Sequence, residues 1–159
     1  MFRLFFFIAL FCTFSNGTII YFEEEKYIEV MDNSIRKKGT LEFKDNKIIL
    51  QYDNSKRILI YEDDSLSIQI DDEIQEINLE SQIALKMVFL LIESIQKNDF
   101  LILQEYFTIN KKNKATLLFP NKSLENYIES VEFRKTEILE YLTIIMTNGN
   151  KTTIREIND

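Results

Sequence analysis

From Gly39 to Leu79 the chain reads GTLEFKDNKIILQYDNSKRILIYEDDSLSIQIDDEIQEINL, a ladder of short alternating runs with no proline and no glycine after Gly39. Leu41 and Phe43 share one face, against Thr40, Glu42 and Lys44 on the other. Asp45 and Asn46 turn the chain, and Ile48, Leu50 and Tyr52 line one face of the next run. Asp53, Asn54 and Ser55 turn it again before Arg57 to Tyr61. Glu62, Asp63 and Asp64 lead into Leu66, Ile68 and Ile70, and Asp71 and Asp72 into a last run through Ile77 and Leu79. Period-two alternation between polar turn clusters predicts antiparallel hairpins with one wet face, paired in sequence as a meander.

The period changes at Glu80. Ile83, Ala84, Met87, Val88, Leu91, Ile92 and Ile95 recur at three- and four-residue spacing, an apolar helical stripe, with Ser81 as a candidate cap and Asn98-Asp99 as the stop. Leu85, Phe89 and Leu90 broaden the stripe beyond what a surface helix needs, so the helix is expected to be buried on a sheet. Strands are expected again at Tyr106 to Asn110, Ala115 to Pro120, Ser130 to Lys135, Ile138 to Thr147 and Thr152 to Ile157. Asn148-Gly149 is the strongest hairpin signal. The strand before it is apolar on both faces and is expected to be covered on both sides. Thr18 to Met31, β-branched and aromatic around Glu23 to Glu25, reads as a strand or as a short helical turn followed by one. The predicted class is α+β: a single strongly curved antiparallel sheet of about ten strands, an incomplete β-barrel, with an apolar helix on its concave side, since a sheet that large tends to curl.

The N-terminus has the pattern of a secretion signal, with Arg3 as a positive start, an apolar run from Leu4 to Phe14, and small residues Ser15 and Gly17 before a cleavage site. The run is shorter than the roughly 20 residues of a membrane anchor, and Phe11 before Cys12 does not suit lipidation. Cleavage after Gly17 would leave 142 of the 159 residues, one domain at 18–159. With Arg3 gone from the 19 basic residues, 26 acidic residues stand against 18, a net of −8. Such a surface repels nucleic acid.

The chain has no histidine, and its one cysteine, Cys12, lies in the leader. A Ser-His or Cys-His nucleophile and a His-ligated zinc are therefore impossible in the mature chain. Carboxylate pairs such as Asp63-Asp64 and Asp71-Asp72 fall at strand ends, where neighbouring side chains point to opposite faces. No loop has the spacing of a calcium loop. A non-enzyme without cofactor or metal is expected.

Gly39-Thr40-Leu41-Glu42-Phe43-Lys44 resembles the S/Q-G-x-hydrophobic-x-F-K strand of the periplasmic outer-membrane lipoprotein carriers, the LolA family. Leu117 to Lys122 is similar to that family's L-x-L-x-P-K segment. Leu142-Thr143-Ile144, followed by Asn148-Gly149-Asn150 and Thr152-Thr153-Ile154, resembles its closing hairpin. The order covers nearly the whole mature chain. Asp45 and Asn46 stand where a basic residue and proline are usual, and Gln51 stands where an indole might sit.

The resemblance implies a monomeric periplasmic chaperone that shields acyl chains and carries lipoproteins from the inner to the outer membrane. Its implied partners are triacylated lipoproteins, an inner-membrane releasing transporter and an outer-membrane acceptor. The apolar residues Leu41, Phe43, Ile48, Leu50, Tyr52, Leu66, Ile68 and Ile70 of the ladder, with Val88, Leu91, Ile92 and Ile95 of the helix, are the candidate acyl-chain cavity. With no polar specificity group apparent, such a cavity is expected to select by apolarity rather than by headgroup. A binder or sensor of free lipids or glycolipids, and a ligand-free interaction module whose apolar residues are all core, are the alternatives.

Overall fold

A computed structural model describes residues 17–157; the proposed signal segment lies almost wholly outside the described residues. Eleven strands and two helices follow one another: β1 (Thr18–Ile28), β2 (Asn33–Lys44), β3 (Lys47–Tyr52), β4 (Arg57–Glu62), β5 (Ser65–Ile70), β6 (Glu73–Ile77), α1 (Ile83–Lys97), α2 (Phe100–Tyr106), β7 (Phe107–Lys112), β8 (Ala115–Pro120), β9 (Ile128–Lys135), β10 (Leu139–Met146) and β11 (Lys151–Glu156).

All eleven strands form one antiparallel sheet in the order β6-β5-β4-β3-β2-β1-β11-β10-β9-β8-β7. Two meanders, β1 to β6 and β7 to β11, join where β11 pairs with β1 along Phe22–Tyr27. The sheet is open, and its two edges, β6 and β7, are linked by the helical segment. β6 is short and carries Glu73 and Glu76, and β7 ends in Lys111 and Lys112. Charged side chains of this kind blunt a free edge against further pairing.

The turns follow from residue chemistry. Asp45 and Asn46 (φ 50° and 64°) and Asp63 and Asp64 (φ 48° and 60°) adopt left-handed backbone in two-residue hairpins. The right-handed twist of the flanking strands favours that turn, and Asn and Asp tolerate it better than other side chains. α1 is capped at its C-terminus by Asn98 in the left-handed region. Ser81 does not cap α1: its hydroxyl donates to the Asn78 carbonyl, and Gln82 occupies the N-cap position without a side-chain bond. Asp99 caps α2 instead, accepting from the Ile102 N–H. This second helix is an addition to the expected single one.

Laid flat, eleven strands would span about 48 Å at the usual spacing of neighbouring strands. Yet one cluster of buried side chains runs from Leu66 on β5 to Leu118 on β8, near opposite edges, and includes Met87, Phe89, Leu91, Ile92 and Ile95 of α1. A 15-residue helix is only about 22 Å long, so the sheet must bend around it for both flanks to reach it. Tyr61 of β4 stacks on Phe89 with ring centroids 5.2 Å apart.

Three expectations need correction. The ladder's first strand begins six residues before Gly39, because the charged Asn33–Lys38 segment pairs with β1 as the upper half of β2. Thr18 to Met31 holds the expected strand, Thr18–Ile28, but its helical turn, Glu29–Met31, follows that strand and does not precede it. β10 is not covered on both sides: Leu142 and Ile144 are buried, whereas Tyr141, Thr143 and Ile145 on the other face are half-buried among neighbouring strand side chains.

Gly39 marks the closest backbone approach. A Cβ there would lie 2.3 Å from the Gln51 carbonyl oxygen and 3.0 Å from the Tyr52 Cα. Gly39→Ala is expected to cost about 2–3 kcal/mol, the upper range for overpacking. Urea unfolding checks this; an unchanged midpoint would show that β2 and β3 can part there without penalty.

Candidate functional site

Residues directly opposite in an antiparallel ladder share a face, so the register identifies the inner surface. Leu41 faces Leu50, which faces Leu59 and then Ile68; Phe43 faces Ile48, which faces Tyr61 and then Leu66. Tyr52 faces Gly39, and Ile70 faces Arg57. All eight candidate ladder residues therefore lie on the helix side.

They do not share one environment. Leu41, Ile48, Leu50 and Leu66, with Leu91, Ile92 and Ile95 of α1, are at most 3% exposed. All seven pack as core, Leu50 also reaching a groove wall and Ile48 the lining of a small cavity at the other end of α1. Phe43, Tyr52, Ile68 and Val88 are half-buried and Ile70 is exposed. The gradient follows α1. Its C-terminal half is fully packed, whereas Ile83, Leu85 and Val88 near its N-terminus are only half-buried and Ala84 is exposed.

Beneath that N-terminal half lies a groove of about 590 Å³, open to solvent. Its apolar walls are Leu50, Leu59, Ile83, Leu85, Val88, Phe89, Met146 and Ile154, and its polar end is Glu24, Lys26 and Tyr52. Leu59, Leu85, Met146 and Ile154 were not among the residues nominated from sequence. Leu85 stood outside the narrow stripe, and Met146 and Ile154 come from strands adjacent to the ladder only through the long-range β1–β11 pairing. A second cavity of about 690 Å³ shares Tyr52 and Leu59 with the first and is otherwise lined mainly by polar and charged side chains. A third, about 160 Å³, lies where the β2–β3 turn meets the end of α1, with Phe43 and Ile48 in its lining.

Tyr52 lines both larger cavities. Its hydroxyl donates to Glu24 Oε2 at 2.8 Å, its ring meets Phe22 edge-on at 5.9 Å, and Lys37 Nζ sits 5.2 Å over its face. Glu24 is only 5% exposed and also pairs with Lys26 at 3.3 Å. A buried carboxylate requires such partners. Burial, and then the Glu24 charge, push the Tyr52 phenol far above the ordinary tyrosine range. The groove thus offers an apolar trough bordered by a neutral phenol bonded to a carboxylate.

The carboxylates singled out as pairs, Asp63-Asp64 and Asp71-Asp72, lie in exposed turns. Among the described residues no helix is long and apolar enough to cross a membrane.

No protein-family model matches the chain, and no curated protein matches it. Among solved structures, a domain from Vibrio parahaemolyticus provisionally described as an outer membrane lipoprotein-sorting protein is similar. It shares 9% identity, the match covers 88% of this chain and 83% of that one, and the TM-score is 0.44.

The raised Tyr52 pKa fixes a sign. A tyrosine unfolded at pKa about 10 but higher in the fold contributes its full stability below pH 10 and loses it as pH rises towards the folded value. Tyr52→Phe removes a hydrogen bond to a carboxylate and is expected to cost about 1.5–3 kcal/mol at pH 8. Its stability should fall less steeply than wild type between pH 10 and 11. Urea titrations at pH 8, 10 and 11 check both effects; parallel pH curves for the two proteins would contradict the assigned coupling.

Proposed function

We propose that this chain shields an acyl chain in the groove beneath α1 and carries it through water, acting as a binding protein rather than an enzyme. The observation that supports this reading is the solvent-open, largely apolar trough of about 590 Å³ between Leu50, Leu59 and Val88, a size and lining suited to a small apolar ligand. Each buried methylene is worth about 0.8 kcal/mol, so a single long chain would supply enough affinity for carriage.

The motif order described above points to a periplasmic carrier of lipoproteins, loaded by an inner-membrane transporter and emptied at an outer-membrane acceptor. A carrier that hands its cargo on must bind it moderately, and a shallow trough suits that better than a sealed pocket. The groove's volume favours a second reading. Taking a methylene as about the 30 Å³ that liquid water gives one molecule, the trough of about 590 Å³ holds on the order of 20 carbons. That is one chain, whereas a triacylated cargo would require α1 to lift from the sheet. A carrier of free single-chain lipids needs no such movement.

Leu59→Trp and Val88→Trp each place a bulky ring in the trough from opposite walls. Each is expected to weaken binding of a fluorescent C12–C16 fatty-acid probe at least tenfold, the loss of a few buried methylenes, with the far-ultraviolet circular dichroism unchanged. Wild-type affinity in both variants would remove the groove as the binding site.

A further inference from the structure

The second cavity, which shares Tyr52 and Leu59 with the groove, has a character at odds with the rest of the molecule. In a chain of formal net charge −7, its lining collects Arg36, Lys37, Lys38 and Arg57 against Glu23 and Asp53. The topology explains why they meet. β2 pairs with β3 only over Gly39–Lys44, so Asn33–Lys38 overhangs the β3–β4 loop. The Asp53 N–H bonds to the Lys38 carbonyl at 3.0 Å where the overhang begins. Arg57 opens β4 on the far side of that loop.

The register puts two of the cations on the inner face. Lys37 is opposite Glu24 on β1, and Arg57 shares its face with Leu59 and Tyr61. The ion pairs among the described residues take Glu24 with Lys26 and Glu25 with Arg36, and include neither Lys37 nor Arg57. Two cations without carboxylate partners therefore flank the polar end of an apolar trough, with Tyr52 and Leu59 common to both spaces.

We propose that this end is a headgroup site: Lys37 and Arg57 hold the carboxylate or phosphate of a single-chain anionic amphiphile whose tail lies under α1. The assignment rests on the groove reading above and adds selectivity to it, where the sequence had suggested selection by apolarity alone. Arg57 presents a planar fork that matches a carboxylate or phosphate with two parallel hydrogen bonds, and Lys37 adds a compact positive charge.

The test uses three ligands with one dodecyl chain, each below its micelle concentration: dodecanoate, dodecylphosphocholine and dodecyl maltoside. Calorimetry is run on the mature chain and on the Lys37→Gln/Arg57→Gln double variant. Dodecanoate is expected to bind wild type about tenfold more tightly than dodecyl maltoside, two exposed charge contacts being worth a few-fold each. That advantage should shrink in 0.5 M salt, where exposed charges are screened. The double variant should lose it while keeping its affinity for dodecyl maltoside. Acetate and inorganic phosphate alone should show no binding. Equal affinity of all three amphiphiles for wild type, or an anionic preference that survives in the double variant, would overturn the headgroup site and leave the groove standing. Binding of acetate as tight as dodecanoate would show an anion site independent of the tail and would overturn it as well. Failure of every amphiphile to bind would overturn the groove itself.

Discussion

One apolar sheet face with a single helical segment to cover it governs this molecule. The strands of both meanders turn their apolar side chains inward, and among the described residues the helices that cover them are α1 and α2, which run between the two sheet edges. A flat sheet would leave most of that face in water at about 25 cal/mol per Å². Curling brings both flanks onto α1, and at the helix's C-terminal half the cover is complete, with Leu91, Ile92 and Ile95 fully buried. At the N-terminal half the apolar stripe continues, but the opposing strand β1 turns polar at Glu24 and Lys26 and the packing loosens. The groove is where the supply of apolar partners ends.

The polar end is held by a short chain of interactions. Glu24 sits one inward position beyond Phe22 on β1, in a place where a bare carboxylate would be costly to bury. Tyr52 from β3 and Lys26 from the same strand satisfy it. That arrangement keeps the phenol protonated and its ring fixed between Phe22 and Lys37. The boundary between core and water is therefore defined at Tyr52, and the cations beside it line the adjoining, wetter space.

Much of the architecture was legible because it is local. The hairpin turns at Asp45-Asn46 and Asp63-Asp64 announce themselves by residues that tolerate left-handed backbone, and β8 and the α1 stripe appear at their expected positions. The upper half of β2 was hidden because Arg36, Lys37 and Lys38 carry no alternating apolar signal; what makes it a strand is pairing with β1. α2 is too short to establish a period. The candidate site was read less well than the fold. Leu41, Leu66 and Leu91 face inward as expected but are sealed by packing, a matter of where one helix lies along a curved sheet. Met146 and Ile154 join the groove only through the β1–β11 pairing between distant parts of the chain, and Lys37 and Arg57 line one cavity only because β2 runs on past its pairing with β3. Period-two alternation assigns a face; it does not say which part of that face stays open.

The central claim is that an acyl chain lies between α1 and the inner sheet face. Isotope-filtered nuclear Overhauser spectroscopy of the methyl-labelled protein with unlabelled dodecanoate tests it directly. Contacts from the chain's methylenes to the methyls of Leu50, Leu59, Leu85 and Val88, with none to the exposed Val30, are the predicted result. Contacts confined to Val30 and other outer side chains, with the groove methyls silent, would contradict it.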